Sequence, residues 1–357
     1  IILIFIMLKQ LKYYFLPFEI VLAIFAALHS IEAVWIAFLF LSAKVILGDL
    51  LLPDDTSELK VENPFILNLA LYIHLPLLIV LIISNMYLIS NSNLNLLDYL
   101  GIILSLGLLI GGAAVNVGHE LTHQTKNPIK MFFGNWLYGI TCDPCFAIEH
   151  VYGHHKNVAT KLDPATAQRG ENIYFFILKS TFVQIFSALD YESKRLKKRK
   201  ISNYSFSNRI IIASFRSLSI CLLAFSFGGL PGLLCFLLSV VWAKILLESI
   251  NYIEHYGLVR EPGKPVELRH SWNSNAFMSS IILFNLTRHS HHHQKAHVEF
   301  WNLKPNKNAP EMPYGYLLMV YMTLLFPWLY KKIMRSKLED WDQNYASDRE
   351  KNILLSL

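Results

Sequence analysis

Residues 97–125 read LDYLGIILSLGLLIGGAAVNVGHELTHQT, an apolar run that ends in two histidines. Between Leu97 and Val117 the only charged residue is Asp98. As a helix, a run of about 20 such residues spans the hydrocarbon core of a bilayer. His119 and His123 follow at a four-residue spacing, which on a helix puts both imidazoles on one face. The stretch thus predicts a membrane span that delivers two histidines to one membrane surface.

The rest of the chain is built in the same way. Of its 357 residues 54% are hydrophobic and only 16% charged, where a soluble protein carries about a quarter charged residues. The composition therefore excludes two or three soluble domains and predicts one all-α, polytopic membrane domain over residues 1–357. Six spans are expected, at about residues 14–28, 31–47, 64–90, 97–117, 209–227 and 231–253. Residues 119–208 and 254–357 are more polar. Amphipathic patches lie at Met131–Ile140 and Ile173–Leu189, and Tyr314–Tyr330, interrupted by Pro327, reads as an interfacial or re-entrant helix. The first ten residues, IILIFIMLKQ, have neither a basic region ahead of the apolar patch nor a small-residue cleavage site, so they do not read as a cleaved signal peptide; Met7 is a candidate start.

Charge sets the orientation. The short connections His29–Glu32, Asn91–Leu96 and Gly228–Pro231 contain no Lys or Arg, whereas residues 119–208 contain twelve, among them RLKKRK at Arg195–Lys200. By the positive-inside bias the polar segments and both ends of the chain face the cytoplasm. The net charge of +6 then reads as loop bias or attraction for anionic lipid or an acidic protein, not as nucleic-acid binding. Four cysteines give no disulfide framework. Cys142 and Cys145, a lone CDPC, read as incidental thiols, and Cys221 and Cys235 as thiols buried in apolar runs.

By itself HELTH fits the H-E-x-x-H pattern of zinc metalloproteases, with Glu120 as base. Fourteen histidines change that reading. His119 and His123 are followed by His150, His154 and His155 in IEHVYGHHKN, by His255 in NYIEHYG, and by His289, His292 and His293 in TRHSHHHQKAH. All adjoin the same ends of the spans. Helical offsets predict that each group presents two or three imidazoles to a single point. Nine are too many for one zinc, which takes three or four protein ligands, and suit two adjacent metals; imidazole is compatible with iron. Histidines crowded at a membrane surface point to function, because polar groups there are costly. His29 and His74 read as core or interfacial residues.

The stretches NVGHELTHQ, EHVYGHHKNVAT with DPATAQRGENIY, NYIEHYGLVR, HSWNSN and RHSHHH resemble the integral-membrane alkane 1-monooxygenases, within the fatty-acid desaturase and hydroxylase group. The resemblance runs from the second span almost to the C-terminus. It implies six spans in a bacterial inner membrane, with a non-haem site of two iron ions on the cytoplasmic side. The implied metal ligands are His119, His123, His150, His154, His155, His255, His289, His292 and His293. It also implies hydroxylation of the terminal carbon of alkanes with O2, using electrons from rubredoxin supplied by an NAD(P)H-dependent rubredoxin reductase. A bulky residue midway along the second span would limit chain length, and Leu41 aligns there. The family's third motif reads R-H-S-D-H-H, whereas His291 fills the Asp slot here. It could be a surrogate, an extra ligand or a bystander.

Glu120, Glu149, Asp163 and Glu254 are candidates to orient imidazoles by hydrogen bonding, as metal-bound histidines require. His270, Trp272 and Asn273 are further candidates to support the site, and His297 reads as a solvated residue. Two alternatives stand beside alkane hydroxylation. One is desaturation or hydroxylation of another lipid or alkyl-aromatic substrate. The other is a membrane zinc protease using HELTH.

Overall fold

The structure, a computed structural model, describes residues 9–59 and 61–355; Met7 and the run before it lie outside them. The fold is all-helical, and among the described residues β-structure is confined to one isolated bridge between Asn273 and Glu311. The amino-terminal half forms four antiparallel runs: α1 (Phe15–His29), α2 (Ala33–Leu51), α3 (Phe65–Asn91) and α4 (Leu96–His123). Asn95 starts α4 with a capping box, its side chain accepting from Leu97 N and Asp98 N while Asp98 accepts from Asn95 N. Next comes α5 (Pro128–Ile140), capped by Asn127 with proline at its first position. It lies so close to α4 that a Cβ on Gly134 would stand 2.9 Å from the Thr122 side chain.

The fifth and sixth runs form α7 (Arg209–His255). A straight helix of that length would measure about 70 Å. Instead Gly229 adopts φ 58°, ψ −158°, a conformation open essentially only to glycine, and the chain folds back on itself. A Cβ on Gly232 would lie 3.5 Å from the Ala224 carbonyl oxygen, although eight residues of straight helix would separate them by about 12 Å. At one end of α7 Arg209 stacks on Tyr152, and at the other His255 stands 4.9 Å from His154, so both ends return to the histidines. The reversal lies at the far end, where the Ser90 hydroxyl donates to Phe227 O.

Among the described residues six helices are long and apolar enough to cross a membrane. Two of them alter the simple count. One is α7, which supplies two crossings. The other, α6 (Ile173–Lys198), was expected as amphipathic and qualifies by length and hydropathy, yet its contacts place it across the bundle end. Phe176 packs edge-on against Tyr252, Gln184 Nε2 donates to Glu248, and Glu192 binds Arg209. Tyr252 and Glu248 belong to the last turns of α7 and Arg209 to its first, and both ends of that hairpin are at the histidine side. Among the described residues the crossings therefore number six, as expected, with α6 lying over their ends. Its Phe175, Leu178, Phe182 and Phe186 form an exposed apolar row.

Beyond the spans follow α8 (His289–Gln294), α9 (Tyr316–Leu325), α10 (Pro327–Asn344) and α11 (Asp348–Leu355). At about 15 Å, α9 is too short to cross a core of about 30 Å. It slips in beside α2, where Tyr321 bonds Ser42, then breaks at Phe326 before Pro327 and returns to the bundle end, where Tyr330 packs on Tyr252. The outer faces carry exposed Phe18, Phe25, Phe40, Phe215 and Leu222, an apolar girdle that water would not tolerate. A cation inside the sixth run, Lys244, is held by Asp143 at 2.9 Å and Glu248 at 2.8 Å, as a buried charge requires.

Candidate metal centre

The nine histidines come from four segments: the last two turns of α4, the turns 146–157, the end of α7, and α8. Their imidazoles converge in two groups. His119, His123, His150, His155 and His292 form one, and His154, His255, His289 and His293 the other; within each group the ligating atoms all lie within 4.8 Å of one another. The Nε2 atoms point inward. In the first group His119–His150, His123–His119, His155–His150 and His292–His155 stand 2.7, 3.1, 3.1 and 3.2 Å apart. In the second, His154–His293, His293–His289 and His289–His255 are at 3.3, 2.9 and 3.2 Å.

Those spacings test the fit to a metal. Nitrogens about 2.1 Å from a shared ion stand about 3.0 Å apart at right angles and about 3.4 Å apart in a tetrahedron. The observed distances follow the right-angle value more closely. Convergent bare nitrogens, all buried except on the half-buried His155 and without carbonyls to accept from them, fit two cations of higher coordination number than structural zinc.

The expected arrangement differs in one respect. Each histidine group was read as addressing a single point, but the consecutive pairs split: His154 and His155 face different groups, as do His292 and His293. Neighbours on a helix project about 100° apart, so one ion cannot take both, and the ring planes differ by 76° and 74°. A π-turn at His150–His154 widens the helix so that His150 and His155, five residues apart, reach the same point.

The carboxylates take distinct places. Asp163 Oδ2 accepts from His154 Nδ1 at 3.0 Å, and is steadied by the Thr166 hydroxyl at 2.5 Å and by Ala165 N on Oδ1 at 3.1 Å. Burial pushes its pKa up, but the charge and hydrogen bond of His154 outweigh that and hold it below the usual carboxylate range. Glu120 accepts from Phe300 N at 3.0 Å and so ties α4 to the 300–302 turn instead of serving a water beside His119 and His123. Glu149 is buried beside the centre with no imidazole bond, and burial lifts its carboxyl to about 8. Glu254 Oε2 stands 3.2 Å from His289 Nε2. His291 turns away from both groups and its Nδ1 accepts from Lys304 N at 3.1 Å. His29 and His297 are exposed and His74 is buried in the core, all apart from the centre.

HSWNSN forms a brace beneath α8. Trp272 N donates to Glu254 O, Trp272 Nε1 to Tyr256 O, and the Ser290 hydroxyl to Ser271 O. His270 Nε2 bonds Glu350 of α11 at 2.8 Å. Burial opposes ionisation of Glu350, yet bonds from His270 and Ser347 prevail and hold it at about 2. Cys142 approaches Cys221, sulfur to sulfur 3.7 Å, so CDPC does not form a site of its own.

An apolar cavity of about 100 Å³ reaches the centre from within the bundle. Its walls include Leu41, Val45, Leu108, Leu246 and Val320, and it ends on His119 and His150 of one group and His289 of the other. Gly111 and Gly112 lie along it in the π-turn Ile110–Val115 of α4.

The fatty acid desaturase family matches residues 95–323. The xylene/toluene monooxygenase hydroxylase component of Pseudomonas putida is 32% identical, over 97% of this chain and 94% of its own length. The alkane 1-monooxygenase of Pseudomonas putida is 33% identical and alkane 1-monooxygenase 1 of Alcanivorax borkumensis 32%; each alignment covers 81% of this chain and 72% of the relative. The chain belongs to the alkane monooxygenase family. It is therefore a membrane oxidoreductase, and its histidine-rich centre is of the kind that suits non-haem iron.

Within that family's pattern the motif order was legible in the sequence, but the partners were not. The Thr166 clamp on Asp163 follows from the Asp-Pro-Ala-Thr turn, whose three-residue spacing suits a side chain folding back on its own turn. No local signal joins His270 to Glu350, eighty residues away.

Proposed function

We propose that the protein is a non-haem di-iron monooxygenase that converts the terminal methyl group of an alkane to a primary alcohol, with the nine histidines as ligands. The supporting observation is the apolar cavity ending on both histidine groups at once. Two iron ions held there would supply O2 activation. The chain's own residues do the rest. Leu41, Val45, Leu108 and Val320 bind an extended apolar chain and exclude water, so that only its end reaches His119, His150 and His289. Asp163 fixes the His154 tautomer so that Nε2 faces inward.

The reaction consumes two electrons from outside the chain, and rubredoxin, recharged by an NAD(P)H-dependent reductase, is the proposed donor. The end of α6 offers it Lys197, Lys198, Arg199 and Lys200. Arg195, by contrast, is engaged by Glu192, and Lys194 by Asp190. Connections without Lys or Arg at the far end support a cytoplasmic centre in a bacterial inner membrane.

Hydroxylation of an alkyl-aromatic is the second reading, favoured by the xylene/toluene relative matching nearly the whole chain. A protease is disfavoured because His119 and His123 share their point with three further histidines. Membranes containing the chain, rubredoxin and its reductase, given 18O2 with octane, dodecane, xylene or a fatty acid, decide between them. Labelled primary alkanols support the proposal, and oxygenation of xylene alone selects the second reading. No labelled product from any substrate, with two irons bound, refutes both.

A further inference from the structure

The two histidine groups are unequal, five against four. We infer that Glu254 completes the smaller one, its carboxylate binding the ion held by His154, His255, His289 and His293. This rests on the two-ion reading of the centre.

Three observations carry it. First, Glu254 Oε2 is 3.2 Å from His289 Nε2, the atom that faces the ion. That matches the 3.2 Å from the same nitrogen to His255 Nε2 and the spacing of right-angle ligands, about 3.0 Å. Second, a nitrogen that gives its lone pair to an ion keeps no proton to donate. The carboxylate oxygen beside it cannot then accept a hydrogen bond from that nitrogen: it shares the cation or is repelled. Third, Glu254 has no competing partner. Its side chain is 3% exposed, and Oε1 has no hydrogen-bond partner among the described residues. A buried carboxylate without a cation is costly, and a divalent ion removes that cost.

The position has a chemical meaning. Glu254 and Tyr316 both line the apolar cavity, so the carboxylate approaches the ion from the substrate side. Each ion would then have five protein donors, and the smaller group's ion alone would carry an anionic ligand. The two irons are therefore inequivalent.

The test reads the metal itself. Full-length chain in nanodiscs is loaded anaerobically with 57Fe(II), and Mössbauer spectra, iron per chain and release to a ferrous chelator are compared for wild type, Glu254→Gln and Glu254→Asp. Wild type should hold two irons with two distinct ferrous doublets. Glu254→Gln should change one doublet and leave the other, and release one iron to chelator at least about 10-fold more readily, since loss of a group that merely supports a metal ligand already costs about 10–100-fold. If Glu254→Gln does not fold, Glu254→Asp keeps the charge but shortens the arm and should perturb the same doublet alone. Two irons with unchanged doublets and unchanged release in the variants would overturn the assignment while leaving the two-ion reading intact. A wild type that holds a single ion would overturn both.

Discussion

Exchanging Asp163 for Asn takes one negative charge from behind His154 while keeping the shape. The carboxylate accepts from His154 Nδ1 at 3.0 Å inside a fully buried turn. An amide oxygen in its place still accepts that proton, so the tautomer survives, and only the charge that makes the imidazole more basic is lost. A hydrogen bond to a charged group contributes about 1.5–3 kcal/mol, against about 0.5–1.5 for a neutral pair, so the change costs about 1–2 kcal/mol. At about 1.4 kcal/mol per factor of ten, that is roughly 5–30-fold in affinity, overlapping the range for such supporting groups. On the two-iron reading the loss falls on the ion that His154 would hold, not on the one the five-histidine group would hold. Chelator competition on the iron-loaded chain reads this directly: one of two irons should leave earlier in Asp163→Asn, the second at the wild-type concentration. Unchanged release of both, or equal weakening of both, would refute the reasoning, the latter by revealing general damage to the fold.

Three further outcomes follow from the same geometry. His291→Ala should keep full iron content, because His291 faces Lys304 N; its cost is about 1 kcal/mol in thermal stability, and metal analysis with thermal unfolding checks both. Leu41→Phe adds bulk to the wall of a cavity of about 100 Å³ and should reduce hydroxylation of the longest accepted alkanes at least about tenfold, leaving shorter ones, as measured by chromatography of the alcohols. Glu350, held at about 2 in the fold against 4.5 ordinarily, contributes stability that is fully present above about pH 4.5 and lost as pH falls toward 2, about 3 kcal/mol in all. Unfolding of the detergent-solubilised chain across that window should show the slope, and Glu350→Gln should remove it.

What could be read from the sequence, and what could not, divides along a physical line. Apolar run length is a one-dimensional property, so the six crossings were visible, and the histidine motifs stood at their ends for the same reason. The hairpin in α7 was legible through GGLP, because a left-handed Gly229 followed by Pro231 leaves no straight path. By contrast, α6 has both the length and the hydropathy of a span, and only its anchors at Tyr252, Glu248 and Arg209 lay it across the bundle. The division of the histidines between two points was hidden too. A spacing of four suggests one face, but it says nothing about where a second ion sits, and the π-turn at His150–His154 has no signature in composition. Of the four candidate carboxylates, spacing could not tell Asp163, which grips His154, from Glu120, which grips Phe300.

The way the groups draw on the chain also fixes an order of events during synthesis. His119, His123, His150 and His155, four of the five in one group, have all left the ribosome long before α8 is made. The other group has only His154 and then His255 until His289 and His293 emerge. On the two-ion reading, the site of the five-histidine group can therefore be largely assembled early, while the other must wait until α8 has been made. Chemistry that needs both sites would then have to wait for α8 to emerge.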